Sequence, residues 1–341
     1  MAAILAVENL VKKYGESTVV KGISFSVEEG EVFGLLGPNG AGKTQTISML
    51  TGVIPPTSGT AKIGGYDITT QMDKVKRLNG LVPQDLALYP TLSARANLNF
   101  FGRIYGLGGK ELRERVDDVL RIVALTDRAD QVIDKYSGGM KRRVNIAAGL
   151  VHLPKLLFLD EPTVGVDPQS RNYIFESVMS LNRERGMSIV YTSHYMEEVE
   201  VLCNRAAVID QGQIIALDTI KNLIEMLGGG IIHIGLQQVD DALLAQLAAL
   251  PAVKRATIAP QPAAPPPAKG EEAGIAPAPA YTIPAQGAGT IVKIEAEHSQ
   301  QALLNLISFF SERDIPIVSL EILEPNLESV FLHLTGKKLR E

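Results

Sequence analysis

The chain has 341 residues, enough for about two domains at roughly 150 residues each and long enough to bury a core without disulfides. Hydrophobic residues make up 45% and charged residues 21%, a globular balance, yet no unbroken apolar run approaches the ~18 residues of a membrane span. The 33 basic and 38 acidic residues leave a net charge of -5, a poor footprint for a nucleic-acid binder, and the single cysteine, Cys203, cannot close an internal disulfide. The apolar residues 1–7 have no basic segment before them and are too short for a signal-peptide core, so a cytosolic protein is expected.

Residues 4–11 and 19–27 read as strands, followed by Val32–Leu36, which is apolar enough for a strand covered on both faces. That run leads into Gly37-Pro38-Asn39-Gly40-Ala41-Gly42-Lys43-Thr44, which fits G-x-x-x-x-G-K-[ST] between a strand and a helical run to Leu50. Its glycines let backbone N–H groups turn inward around phosphate oxygens, and the following helix adds its positive end. Lys43 then reaches the β- and γ-phosphates, and Thr44 ligates Mg²⁺.

Over residues 89–153 the pattern turns helical, as in Leu112, Val116, Val119, Leu120 and Val123, so a helical insert interrupts the strands. Inside it, Tyr136-Ser137-Gly138-Gly139-Met140 precedes a basic helix expected to start at Lys141. Its glycines expose amides at a helix N-terminus, a second anion site that one nucleotide does not need from the same chain. A plain Gly-rich helix start is the competing reading. The apolar residues 156–159 deliver Asp160 and Glu161 to the C-terminal edge of a sheet, where ligands bind in open α/β folds. Asp160 can hold Mg²⁺, and Glu161 can take a proton from an attacking water. Strands at 189–192 and 206–209 complete the α/β core by about residue 225.

After Gly230 a smaller unit follows, with strand 231–236, helix 242–250 and strand 253–258, then strand 291–296, helix 302–310 and strand 317–322. Two βαβ halves in tandem predict an α+β ferredoxin-like domain. Between the halves, residues 259–290 hold 8 of the 19 prolines and read as a flexible or polyproline-like hairpin loop, a solvated spacer with a specific peptide ligand as the competing reading. The expected division is therefore 1–227 and 228–341, with the proline-rich stretch inside the second domain.

Over residues 4–225 the chain resembles the ATP-binding subunits of ABC transporters, because the motifs occur in that family's order. The resemblance implies a P-loop NTPase core with a helical signature subdomain, binding ATP and Mg²⁺. It places Tyr14 where an aromatic stacks on adenine, Gln84 as the glutamine that senses Mg²⁺ and water, and Ser137, Gly138 and Gly139 in the signature loop. Asp160 becomes the metal aspartate and Glu161 the catalytic base. Val166 and Asp167 match the loop that crosses the dimer, and His194 the switch histidine near the γ-phosphate. The departures are Tyr136 in place of Leu, Met140 in place of Gln, and Gln45 beside the α-phosphate where Thr or Ser is usual.

Residues 324–336 are similar to the end of the daunorubicin-resistance-type branch, which serves exporters with separate membrane subunits. The implied partners are an integral membrane permease and a second ATPase subunit, identical or not, with no nucleic acid. The implied location is the cytoplasmic face of the cell membrane. Two other readings stand beside this one: a soluble ABC-type ATPase acting on nucleic acid or ribosomes, and a nucleotide-gated module without productive turnover.

Overall fold

The computed structural model describes residues 3–259, 290–323 and 325–336. The expected polyproline-like loop lies, apart from its two end residues, outside the described residues. The chain forms two compact units, one running to Leu223 and including the segment from Phe331, the other spanning Ile224–Val330.

The first unit holds two sheets. In the antiparallel one, Ala3–Tyr14 lies between Ser17–Glu28 and Ser58–Ile63, with Tyr66–Asp67 at the edge. The other orders six strands as Gln213–Thr219, Arg205–Asp210, Val32–Leu36, Ser188–Ser193, Leu156–Asp160 and Asn79–Val82. All neighbours in this sheet are parallel except the first pair. Every residue of Val32–Leu36 and of Leu156–Asp160 is buried, as strands covered on both faces require. Between the sheets, helix Lys43–Leu50 contributes Ile47, Met49 and Leu50 to a core that includes the stacked rings of Phe25 and Phe33, 5.3 Å apart.

Strand register does the positioning. Leu36 pairs with Ser193, and Asp160 with Thr192, so three central strands end level. The phosphate loop follows Leu36, Glu161 follows Asp160 and His194 follows Ser193. Residues distant in sequence therefore emerge together at one sheet edge.

In the helical insert, Gly109–Ile122 buries Leu112, Val116, Val119 and Leu120 and turns its charged residues outward. The helix expected at Lys141 instead begins at Gly138 and runs to Leu150, because the Ser137 hydroxyl accepts from Met140 N at 3.2 Å and caps it. Helix Pro168–Arg185 is framed by Asp167 as N-cap, Pro168 in its first turn and Gly186 at φ 62 after its last turn.

The strands at 58–63, 66–67, 79–82 and 213–219 were not foreseen; the first three are short or polar, and the last has its apolar run 214–217 framed by polar residues. Gly80 in the third is needed for close packing, since a Cβ there would lie 2.2 Å from Gly149 O.

The second unit orders its strands Val253–Ile258, Thr290–Ala296, Ile231–Leu236 and Ile317–Leu323, antiparallel throughout. Helices Asp241–Ala248 and Ser299–Glu312 link them, burying Leu247, Leu306 and Phe310 with Ile232, Ile234, Val292 and Ile294. This is the ferredoxin-like arrangement of two interleaved βαβ halves. The closing helix Leu327–Thr335 carried no expectation from the sequence.

Candidate functional site: a phosphate loop, a buried acid pair and a histidine

The loop after Leu36 needs its glycines for space as much as for dihedral freedom. A Cβ on Gly37 would lie 2.2 Å from Ile209 O, and Gly42 sits at φ 108 immediately before helix Lys43–Leu50. Lys43 is 4% exposed and folds back over the loop, donating to Gly37 O at 2.7 Å and Pro38 O at 3.2 Å. Its ammonium also lies 3.0 Å from Glu161 Oε1, and Glu161 Oε2 lies 3.1 Å from His194 Nδ1. Lys43, Glu161 and His194 thus form one chain of charge-assisted contacts at the sheet edge.

Glu161 holds this position at a backbone cost. Its φ is +46, a left-handed conformation that a non-glycine residue adopts only when its surroundings enforce it. Glu161 N donates to Thr192 Oγ1 at 2.9 Å, and the Thr192 hydroxyl donates to Asp160 Oδ1 at 2.7 Å. Burial pushes the Asp160 carboxyl up from its ordinary range, against the hydroxyls of Thr192 and Thr44, which pull it down.

Tyr14 stands half exposed at the end of its strand and donates to Gln45 Oε1 at 2.7 Å, so the unusual glutamine meets the expected base-stacking tyrosine. Gln84 is held through its backbone: its carbonyl accepts from Arg142 Nη1 at 2.6 Å. Asn145 accepts from Ala87 N at 3.1 Å and donates to Pro83 O at 3.2 Å. The segment around Gln84 therefore hangs from the helix that Ser137 caps.

Ser137, Gly138 and Gly139 gather elsewhere. A Cβ on Gly139 would strike Ser170, whereas one on Gly138 would meet nothing within 4 Å. Asp167 Oδ1 accepts from Ser170 N at 2.9 Å, and this bond holds its carboxyl below the usual range. Among the described residues no hydrogen bond or ion pair links residues 137–139 to residues 37–44.

Sequence reasoning passed over Thr192, Glu198, Arg142 and Asn145. Thr192 was within reach, because a hydroxyl ending an otherwise apolar strand marks a polar sheet edge. The buried roles of the other three depend on packing between elements distant in sequence.

A phosphate loop on a central parallel strand, with a buried lysine facing paired acids on a nearby strand, defines the P-loop nucleotide hydrolases. Residues 20–164 match the family model described as ABC transporter. The chain belongs to that family and is an ABC ATPase. It is 46% identical to the linearmycin resistance ATP-binding protein LnrL of Bacillus subtilis (strain 168), over 99% of this chain and 100% of that one. With the daunorubicin resistance ATP-binding protein DrrA2 of Streptomyces coeruleorubidus it shares 34% identity over 97% of this chain and 94% of that one. A dimeric post-hydrolysis structure of the ATP-binding cassette MJ0796 with ADP and Pi superposes with TM-score 0.58 at 25% identity, covering 63% of this chain and 98% of that one.

Proposed function

We propose that two copies close head to tail on two ATP molecules, each held between residues 37–44 of one copy and residues 137–139 of the other, and that closure drives outward transport through a separate membrane permease. The observation that supports this reading is the glycine-rich helix start capped by Ser137, with Gly138 open and, among the described residues, no bond to the phosphate loop of its own chain. A head-to-tail pair makes both loops useful. ATP selects the closed state because only that state offers it both loops.

Within this reading, Lys43 turns from Glu161 to the β- and γ-phosphates, and the amides of Gly138 and Gly139 stabilise charge on the transferred group. Glu161, released from the ammonium, orients and deprotonates the attacking water. His194 holds the γ-phosphate, and Gln84 reports the state of the site to the helical insert through Arg142 and Asn145. The buried Asp160 carboxyl and the neighbouring Thr44 hydroxyl are hard oxygen donors of the kind Mg²⁺ takes, and Thr44, Asp160 and Gln84 would hold that ion. When bound, that ion neutralises phosphate charge.

Substituting Ser137→Arg puts a long charged side chain where the partner's nucleotide would seat. Monomer ATP binding is expected to persist within about threefold, and ATP-dependent dimers to disappear. A closed, ATP-bound dimer of this variant in light scattering would refute the sandwich.

The permease would dock beside Gln84. Leu86, Tyr89, Leu92 and Phe100 are large apolar side chains left exposed there, with the rings of Tyr89 and Phe100 4.9 Å apart. Among the described residues no helix is long and apolar enough to cross a membrane. The reading places the protein at the cytoplasmic face, held by its permease. The pair of ATPase subunits is identical in the simplest case, since one chain carries every motif.

The ferredoxin-like domain, for which 228–341 remains our assignment, serves as a second dimer contact or regulatory element. Its edge strand Ile317–Leu323 exposes Ile317, Val318, Leu320, Ile322 and Leu323 with one charged residue, Glu321, among them. The opposite edge strand carries Lys254 and Arg255, the usual protection of an edge against pairing. Leu320→Lys with Ile322→Lys is expected to weaken nucleotide-free dimerisation by about 10-fold, measured by sedimentation. An unchanged association constant removes the dimer-contact role.

A further inference from the structure

Glu198 has no role in the mechanism above, yet it is 2% exposed in helix Met196–Leu202 and is surrounded by donors. The Thr163 hydroxyl lies 2.7 Å from Oε1 and 2.9 Å from Oε2. The hydroxyls of Tyr191 and Ser193 each donate to Oε2 at 2.9 Å. Arg171 Nε stands at 3.7 Å on the more open side. Burial, with Glu198 itself, raises the Tyr191 phenol well above its ordinary range, so that oxygen keeps its proton and remains a donor.

These donors lie next to the catalytic groups in sequence. Thr163 is two residues after Glu161, and Ser193 immediately precedes His194. Ser193 Oγ in turn accepts from Tyr195 N at 2.9 Å, pinning the residue on the far side of His194. The turn at Glu161 is the one whose backbone is held at φ +46, so something must enforce it. Thr192 holds the turn at its start, and Glu198, through Thr163, holds it two residues on.

We propose that Glu198 is a positioning residue for ATP hydrolysis: its buried carboxylate joins the Glu161 turn to the His194 loop and keeps base and histidine in register. A buried carboxylate is costly to retain for packing alone, and an ordered set of hydroxyl donors converts it into a geometric constraint. Glu198 does not touch the reacting atoms. It acts on the turnover step and leaves the phosphate loop, residues 37–44, unaltered. The inference rests on the ATPase reading with paired copies.

The test uses the full-length chain and measures steady-state ATPase, ATP-dependent dimerisation and thermal midpoint. Thr163→Val deletes one hydroxyl at nearly constant volume, whereas Thr163→Ser keeps it. Thr163→Val and Glu198→Gln are each expected to lower kcat about 10-fold with KM for ATP within about twofold, and Thr163→Ser to stay near wild type. ATP-induced dimers should form in all three. Should Glu198→Gln fail to fold, the valine and serine pair decides the matter alone. A Thr163→Val enzyme that turns over like wild type overturns the proposal, as does a loss of kcat fully accounted for by the unfolded fraction at the assay temperature. If wild type hydrolyses ATP but forms no ATP-dependent dimer, the paired reading fails, while the kcat comparison still decides the role of Glu198.

Discussion

Glu161→Gln is expected to lower steady-state ATP hydrolysis by about 10²- to 10⁴-fold, the range a positioned general base contributes. The amide keeps the shape of the side chain and cannot take a proton. It also changes what Lys43 faces. In the structure the Lys43 ammonium is held by Glu161 Oε1 at 3.0 Å as well as by the carbonyls of Gly37 and Pro38. Removing the anion leaves the ammonium with the two carbonyls as hydrogen-bond partners and only Asp160 as a nearby acid, and nucleotide phosphates then compete for it more easily. ATP affinity should therefore be kept or improved while turnover stops, and ATP should accumulate in a trapped dimer visible by light scattering. An ATPase rate within a few fold of wild type, measured with the permease present, would take the base role away from Glu161.

Lys43→Met should have the opposite profile, a loss at the binding step. Each charge-assisted hydrogen bond to a phosphate contributes about 1.5–3 kcal/mol, so losing two weakens ATP binding by about 10²-fold or more. The substitution also strands Glu161, which is 4% exposed and would keep the His194 ring but no lysine beside it. Removing one partner of a buried pair costs about 3 kcal/mol, so the thermal midpoint should fall. The double variant Lys43→Met with Glu161→Gln removes both charges and should recover part of that stability without recovering ATP binding. Titration calorimetry and a melting curve separate the two effects. Tight ATP binding by Lys43→Met would show that the loop amides alone hold the phosphates.

The two variants divide the cluster by function. Under the proposed mechanism Glu161 acts on the chemical step and Lys43 on the nucleotide, and in the structure the two oppositely charged groups lie 3.0 Å apart. ATP would exchange that partner. The exchange supplies a physical reason for the base to be free only once phosphate is present, which ties deprotonation of water to an occupied site.

Much of the fold was legible because its central strands obey a simple rule. Val32–Leu36 and Leu156–Asp160 are apolar without alternation, as burial on both faces demands, and each ends in chemistry that an apolar strand would not carry by chance. Helix Gly109–Ile122 showed its buried face through helical spacing. Ser58–Ile63 and the edge strand Gln213–Thr219 escaped because strands that are not buried throughout need not be apolar along their whole length. The helix after Ser137 began earlier than its basic residues suggested, since the cap and not the charge sets the first turn.

The absence of a long apolar run, the phosphate loop and the Asp160-Glu161 pair were determined by the sequence alone, because each is a local pattern of residue types at fixed spacing. That Glu161 touches both Lys43 and His194, that Arg142 and Asn145 carry the Gln84 segment, and that Glu198 lies behind the base and the histidine were decided only in three dimensions. Those contacts join residues far apart in the chain. They depend on the register that ends three parallel strands level, and such a register follows from packing between elements, not from any one segment.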